Sequence, residues 1–394
     1  MTQRRWLATL FALFVLASAA TVRAQSGVRP KPSPSPEDEE RVFTEEVRVP
    51  VFAYDDKGRF DPTLGVDDVL VVEDDTPQQV KSVQRIPASV LLVLGTGSEW
   101  NPAVRTQTTR EIALNVLSNL RDGDSVAAIQ FNSAVSVVQA WTTDREEAAR
   151  LLRSRLELGR GSRLTQALTR AAEMFEGLPV GNRHLILVTD GVDSGRVIDY
   201  KDLLLTVGVE SAQERAQIAE ATRRLIATQA TVHVISYAAA AKKRMRERER
   251  PKEAPGAAQS RQDIASVGID PTLPPGMSRG GPSAPRVNSG IRIDPTLKKV
   301  NRAYERAMKK GEDRLKALTD ETGGSLILPA TDEEMVAKGA EVAREIYAQY
   351  VVTYRPKRPL ATSPATEYRR LRVHARRVGL TLRARRGYVV GVMR

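Results

Sequence analysis

Ser89–Trp100 reads SVLLVLGTGSEW, and the fold class follows from how this stretch is read. Apolar residues run without alternation from Val90 to Leu94 and stop at two glycines, Gly95 and Gly97. A strand buried on both faces is apolar at consecutive positions, and in a parallel sheet it opens into a loop at the carboxyl edge, where ligands of open α/β sheets gather. Leu185–Asp193, LILVTDGVD, repeats the pattern about ninety residues on.

Outward from these two runs the sequence alternates strand and helix. Ile112, Ala113, Val116, Leu117 and Leu120 share one face of a helix that stops at Arg121-Asp122-Gly123. Ser125–Phe131 and Val135–Trp141 read as strands, and Thr143 or Asp144 caps a helix to about Leu156. Leu164, Leu168, Ala171 and Phe175 recur at helical spacing, Ser211–Thr228 is a further helix and Thr231–Tyr237 a further strand. This grammar predicts a mostly parallel sheet with helices on both faces. From Ala240 to about Val300 the periodicity fails in a basic, Pro/Gly-rich stretch, which reads as a disordered insertion. It holds IDPTL twice, at 269–273 and 293–297, as a local duplication or a docking motif. A helix from Asn301 to Thr319, a strand at Ser325–Leu328 and a helix to Tyr347 then complete the same domain.

Both flanks read as β. Val47, Val49, Val51 and Ala53 alternate with polar neighbours, and Asp/Gly/Pro turns separate them from strands at Val69–Glu73 and Val80–Ile86. Tyr350–Tyr354, Tyr368–His374 and Leu380–Arg385 form the second segment, in which 355–394 hold twelve Lys/Arg against one acid, Glu367. One face of the 371–376 stretch is basic, through Arg372, His374 and Arg376. It reads either as a solvated face that blunts an edge strand or as a stripe for polyanions. The expected organisation is a signal peptide at 1–24, a disordered linker at 25–42, a β module at 43–87, an α/β domain at 88–239 and 301–348 split by the 240–300 insertion, and a basic β segment at 349–394.

The signal rests on Arg4 and Arg5 before an apolar run, Trp6–Val22, that ends near Val22-Arg23-Ala24. It predicts an exported protein, periplasmic or secreted, with no transmembrane segment after cleavage; the alternative is a retained membrane anchor, for which the apolar run is short. The absence of cysteine excludes lipobox attachment, disulfides and thiolate metal sites. A formal charge of +12 falls to about +9 without the leader, which permits acidic partners without choosing among them and supports no specific nucleic acid. Catalytic constellations are missing. His184, His233 and His374 lie in or beside strands, and there is no G-x-S-x-G, H-E-x-x-H or phosphate loop. A dinucleotide reading of Gly95-Thr96-Gly97 fails at Trp100, where a third glycine is needed.

LLVLGTGSEW, GRGSRLTQAL and LILVTDGVDSG, in that order, resemble the three loops of a von Willebrand factor type A (VWA) domain. With YDDKG, VEDDTPQ and the YVVTYRP…RRLRVHARR…LRARRGYV tail, the chain resembles the exported VWA-related proteins of Acidobacteria. The resemblance implies a Rossmann-like α/β fold, a non-enzymatic role in protein–protein interaction or adhesion, and a metal-ion-dependent adhesion site at the carboxyl edge. Such a site takes a D-x-S-x-S loop, a threonine from the second loop and an aspartate from the third, all oxygen ligands suited to Mg²⁺. Here Asp190 matches the aspartate and Ser162 replaces the threonine, while Gly95, Gly97 and Glu99 stand at the first-loop positions. The site is therefore expected to be degenerate, with Gly95, Gly97, Ser98, Glu99, Ser162, Asp190 and Asp193 forming a metal-free surface for an unidentified protein partner and Asp190 held by Ser162 or by loop amides. The alternatives are a rearranged Mg²⁺ site on Glu99, Ser162 and Asp190, and polyanion or envelope-surface binding through the basic tail.

Overall fold

The computed structural model describes residues 45–97, 102–179, 181–194, 211–249 and 295–392, all within the unit Glu45–Arg394. The leader, the linker, Ser98 and Glu99, and most of the insertion lie outside the described residues. In chain order the elements are β1 (Val47–Tyr54), β2 (Val69–Glu73), β3 (Thr76–Gln78), β4 (Val80–Gln84), β5 (Ser89–Gly95), α1 (Pro102–Ser118), β6 (Ser125–Phe131), β7 (Val135–Thr142), α2 (Arg145–Arg155), α3 (Leu164–Phe175), β8 (Arg183–Thr189), α4 (Ala212–Ala227), β9 (Thr231–Ser236), α5 (Ala238–Glu249), α6 (Pro295–Thr322), β10 (Leu326–Ile327), α7 (Asp332–Tyr347), β11 (Tyr350–Tyr354), β12 (Tyr368–Ala375), β13 (Thr381–Ala384) and β14 (Gly387–Val389).

The consecutive apolar runs become the centre of a six-stranded sheet ordered β10-β9-β8-β5-β6-β7, parallel except for β7. Alternate residues of each run face opposite sides. Leu92, Leu94, Ile186 and Val188 pack against Ile112, Val116, Leu152, Val342 and Ile346 of α1, α2 and α7. Leu91, Val93, Leu185 and Leu187 pack against Leu168, Phe175, Leu225 and Leu315 of α3, α4 and α6. Each fully buried aliphatic side chain contributes roughly 1.5–3 kcal/mol, so a strand apolar at every position is held from both faces. The expected α/β class, with helices on both faces and flanking β segments, is what the chain forms.

The flanks interleave. β13-β1-β11-β4 and β14-β12-β2-β3 are antiparallel sheets, each built from both ends of the described chain, around Val49, Val71, Val352, Tyr354 and Leu371. Arg369 of β12 points into this core and is fully buried, bonded to Glu73 at 2.7 Å, and the same carboxylate accepts from Tyr354 and Tyr388 at 2.5 and 2.9 Å. Burial, reinforced by these neighbours, pushes both phenols up, so they act as donors.

Two boundaries differ from the sequence reading. Order does not stop at Ala240: α5 runs to Glu249 because Ala, Lys, Arg, Met and Glu are strong helix formers and Met245 is buried against Tyr304 and Met308. α6 begins at Pro295, before the expected Asn301, a position where proline's missing N–H costs nothing. Among the described residues no helix is long and apolar enough to cross a membrane.

Candidate functional site

The loops that leave β5, β8 and the α2–α3 connection meet at the carboxyl edge of the sheet, and glycines set how closely they pack. A Cβ on Gly95 would lie 2.6 Å from the Val188 carbonyl oxygen and 2.9 Å from the Phe131 ring. Gly97 forms a parallel bridge with Gly159, and a Cβ on Gly97 would fall 1.8 Å from the Gly161 carbonyl oxygen. The first and second loops are therefore in backbone contact, with no space between them for the side chains a D-x-S motif would carry. Asn132 ties the loops further, accepting from the Arg163 N–H through its carbonyl at 3.0 Å and donating from Nδ2 to Thr96 Oγ1 at 3.3 Å.

The third loop is fastened to the second. The Ser194 N–H donates to the Ser162 carbonyl at 2.9 Å, and the Ser162 N–H donates to Ser194 Oγ at 2.8 Å. Asp193 Oδ2 accepts from the Thr165 N–H at 2.7 Å, so this carboxylate sits at the positive end of α3. Ser162 Oγ is buried without a hydrogen-bond partner among the described residues.

Asp190, the residue matched to the third-loop aspartate, is buried and engaged on both oxygens. Its Oδ2 accepts from Arg105 Nη2 at 2.7 Å and from the Tyr304 hydroxyl at 2.8 Å, and its Oδ1 from the Val192 N–H at 3.1 Å. The loop amide is the partner expected from the sequence; Ser162 is not, since its hydroxyl makes no hydrogen bond among the described residues. Both side chains of the ion pair are under a tenth exposed, at 8% and 6%. The guanidinium carbon of Arg105 stands 3.8 Å from the centroid of the Tyr237 ring, in cation–π range. The Tyr237 hydroxyl lies 2.7 Å from Thr109 Oγ1, which donates to the Gly95 carbonyl at 3.1 Å. Burial alone would lower the Arg105 pKa, but Asp190, Tyr237 and Tyr304 outweigh it and hold the guanidinium above its ordinary value. Burial pushes Tyr237 up to about 12 against the opposing pull of Arg105.

A divalent cation does not fit this arrangement. Its octahedron would need oxygens from Gly95 and Gly97 that glycine lacks, and the Asp190 oxygens already serve a fixed positive charge. Among the described residues no cluster of three or more His, Asp or Glu side chains is grouped to hold a metal. α5 and α6 cover the Asp190 network with an apolar cluster of Val192, Ala238, Met245, Tyr304 and Met308, and Gly311 of α6 touches the backbone of Gly191, whose φ is +79°. Gly95 and Asp190 are thus interior, whereas Asp193 and Arg160 are exposed, as are Leu158 at 63% and Val104 at 42%.

The residues that sequence reasoning missed are Arg105, Tyr237 and Tyr304. Arg105 left a signal: it lies four, seven and eleven residues before Thr109, Ile112 and Val116, in register with the buried stripe of α1. An arginine on that stripe needs a buried anion. Much of the basic tail is paired with carboxylates of the flanking segments and of α7. Arg358 pairs with Asp74 and Glu367, Arg372 with Asp75, Arg377 with Asp61, and Arg383 with Glu345.

Residues 91–192 match the family model of the von Willebrand factor type A domain. No curated protein matches the chain. Solved structures similar to it include a von Willebrand factor type A protein from Catenulispora acidiphila, at 12% identity and a TM-score of 0.41 over 84% of this chain and 75% of that one. Three N-terminal domains of the type V pili tip protein Mfa5 from Porphyromonas gingivalis are 14% identical with a TM-score of 0.26, over 38% of this chain and 26% of theirs. The conserved hypothetical protein BatB from Bacteroides thetaiotaomicron is 14% identical with a TM-score of 0.32, over 66% and 98%. The chain carries a VWA domain, a fold commonly used for protein interaction rather than catalysis.

Proposed function

We propose that this chain is an exported, non-enzymatic interaction protein whose VWA domain engages a protein partner without a divalent cation. The observation that carries the reading is the buried Arg105 guanidinium, 2.7 Å from the Asp190 carboxylate. In a metal-dependent site that carboxylate serves a cation drawn from solution; here a side chain of the same domain supplies the positive charge. The partner surface is then the set of exposed residues Val104, Leu158, Arg160 and Asp193; Ser98 and Glu99, assigned to it from the sequence, lie outside the described residues. Export rests on the basic and apolar segment at 1–24, and the same organisation, with a linker at 25–42, is the one that resembles exported VWA-related proteins.

The second reading is Mg²⁺-dependent adhesion through Glu99, Ser162 and Asp190. The buried, unpartnered Ser162 hydroxyl is the observation in its favour. Calorimetry with Mg²⁺ and Mn²⁺ separates the two: wild type is expected to give no binding heat, and a micromolar affinity that Asp190→Ala abolishes would install the metal-dependent reading instead. The interaction itself is tested by placing p-benzoylphenylalanine at position 158 in producing cells. Protein adducts that survive EDTA are expected; adducts that vanish with EDTA, or none at all, would sink the metal-free reading.

A further inference from the structure

The two helices that close the carboxyl edge carry a second surface. On their inner faces α5 and α6 are joined by Met245, Tyr304 and Met308 around Val192. Lys242 pairs with Glu312 at 3.2 Å, and Arg244 with Asp332 of α7 at 3.0 Å, which fixes the helix pair on the domain. Away from the apolar cluster the helices leave an open groove of about 860 Å³, lined by Lys242, Arg246, Lys299, Arg302, Arg306 and Lys309, with Ala303 and Glu305 between them. Lys299, Arg302, Arg306 and Lys309 follow one another at three, four and three residues, which is one face of a helix. At 1.5 Å of rise per residue they extend over about 15 Å.

These cations differ from those of the tail. Among the described residues no carboxylate is ion-paired with Arg246, Lys299, Arg302, Arg306 or Lys309. The adjoining sequence supplies no neutralising run either, since 250–294 contain six Lys/Arg and four Asp/Glu. Like charges at three- and four-residue spacing repel and weaken the helix that carries them. An anionic ligand relieves that repulsion, and the rigid helix pair has little ordering to lose on binding it.

We propose that the groove between α5 and α6 binds an acidic segment of a partner polypeptide. The proposal rests on reading the chain as a protein-interaction module. The shape of the groove favours this class of ligand. Four of its cations form a row along α6 about 15 Å long, a length that a short extended polypeptide covers. Glu305 stands among them, which opposes a uniformly dense polyanion such as heparin, whereas a polypeptide spaces its carboxylates and offers backbone N–H groups to an acid. About five extended residues, at roughly 3.3 Å each, match the 15 Å row.

Fluorescence anisotropy of the full chain with a fluorescein-labelled peptide of about ten residues in which Glu alternates with Gly tests this, long enough to span the row. Wild type is expected to bind saturably, and roughly fivefold more weakly when salt rises from about 50 to about 200 mM. Arg302→Gln/Arg306→Gln/Lys309→Gln, all exposed side chains, should lose affinity roughly tenfold or more with an unchanged urea midpoint, while Arg370→Gln/Arg372→Gln on β12 should bind like wild type. No binding by wild type, or wild-type affinity in the triple variant, overturns the proposal. So does heparin, or a phosphatidylglycerol vesicle, displacing the peptide at lower anion concentration, because the groove then belongs to a glycan or a membrane. Failure here with EDTA-resistant adducts at position 158 intact removes the groove and leaves the interaction module standing.

Discussion

Replacing Arg105 with methionine isolates the charge that stands in for a cation. Methionine keeps the aliphatic stem and removes the guanidinium, leaving the Asp190 carboxylate buried at 6% exposure without a counter-ion. Breaking a buried pair from one side costs about 3–5 kcal/mol. The Tyr304 hydroxyl and the Val192 N–H still donate to the carboxylate, which holds the loss near the lower end, while the lost contact with the Tyr237 ring adds to it. The expected loss is therefore about 3 kcal/mol. With a urea m-value of about 3 kcal/mol/M, the midpoint drops by about 1 M. Asp190→Asn in the same background removes the orphaned charge, so the double variant should be about 2 kcal/mol more stable than the sum of the single losses predicts. Urea unfolding of the four proteins at neutral pH gives both quantities. A loss below about 1 kcal/mol in Arg105→Met, or a cycle additive within about 0.5 kcal/mol, refutes the view that the pair is mutually dependent.

Two further outcomes are expected. Gly97→Ala should cost about 2–3 kcal/mol in urea unfolding, since its Cβ falls 1.8 Å from the Gly161 carbonyl oxygen, whereas Gly65→Ala, whose Cβ meets nothing nearer than 3.6 Å, should stay within about 0.5 kcal/mol; equal effects would mean the loops are not in obligatory contact. Burial lowers His233 to about 3, and burial together with the neighbouring His233 holds His184 well below 6.5. Unfolding therefore takes up protons, and stability present above about pH 6.5 is lost as the pH falls, by up to roughly 1.4 kcal/mol per unit for each histidine. Urea midpoints that do not fall between pH 7 and 5, or a slope unchanged by His233→Asn, would contradict it.

The strands of the α/β sheet were legible because SVLLVLG and LILVTDG must be buried on both faces, a demand visible residue by residue. The interleaving of the β flanks was less so, since alternation in Val47–Ala53 names a half-buried strand but not its neighbours. The Asp190 network was hidden for a different reason. Its members come from 105, 190, 237 and 304, and nothing local in the sequence reports a pairing across so many residues. The single clue was an arginine on an apolar stripe. The tail shows a related limit: twelve cations against one acid describe 355–394, but apart from Glu367 the carboxylates that pair with them, Asp61, Asp74, Asp75 and Glu345, lie elsewhere in the chain.

The pairing of β4 with β11 places Gln84 beside Val351. The whole α/β layer is thus spliced between two neighbouring strands of one antiparallel sheet. Were the intervening chain still a coil, joining those strands would mean closing a loop of about 265 residues, at an entropic cost of about 5 kcal/mol. A folded insert brings its own ends together and removes most of that cost. On this entropy alone a folded α/β layer favours the pairing of β4 with β11, so a lesion deep in the α/β sheet weakens the joining of strands it never touches.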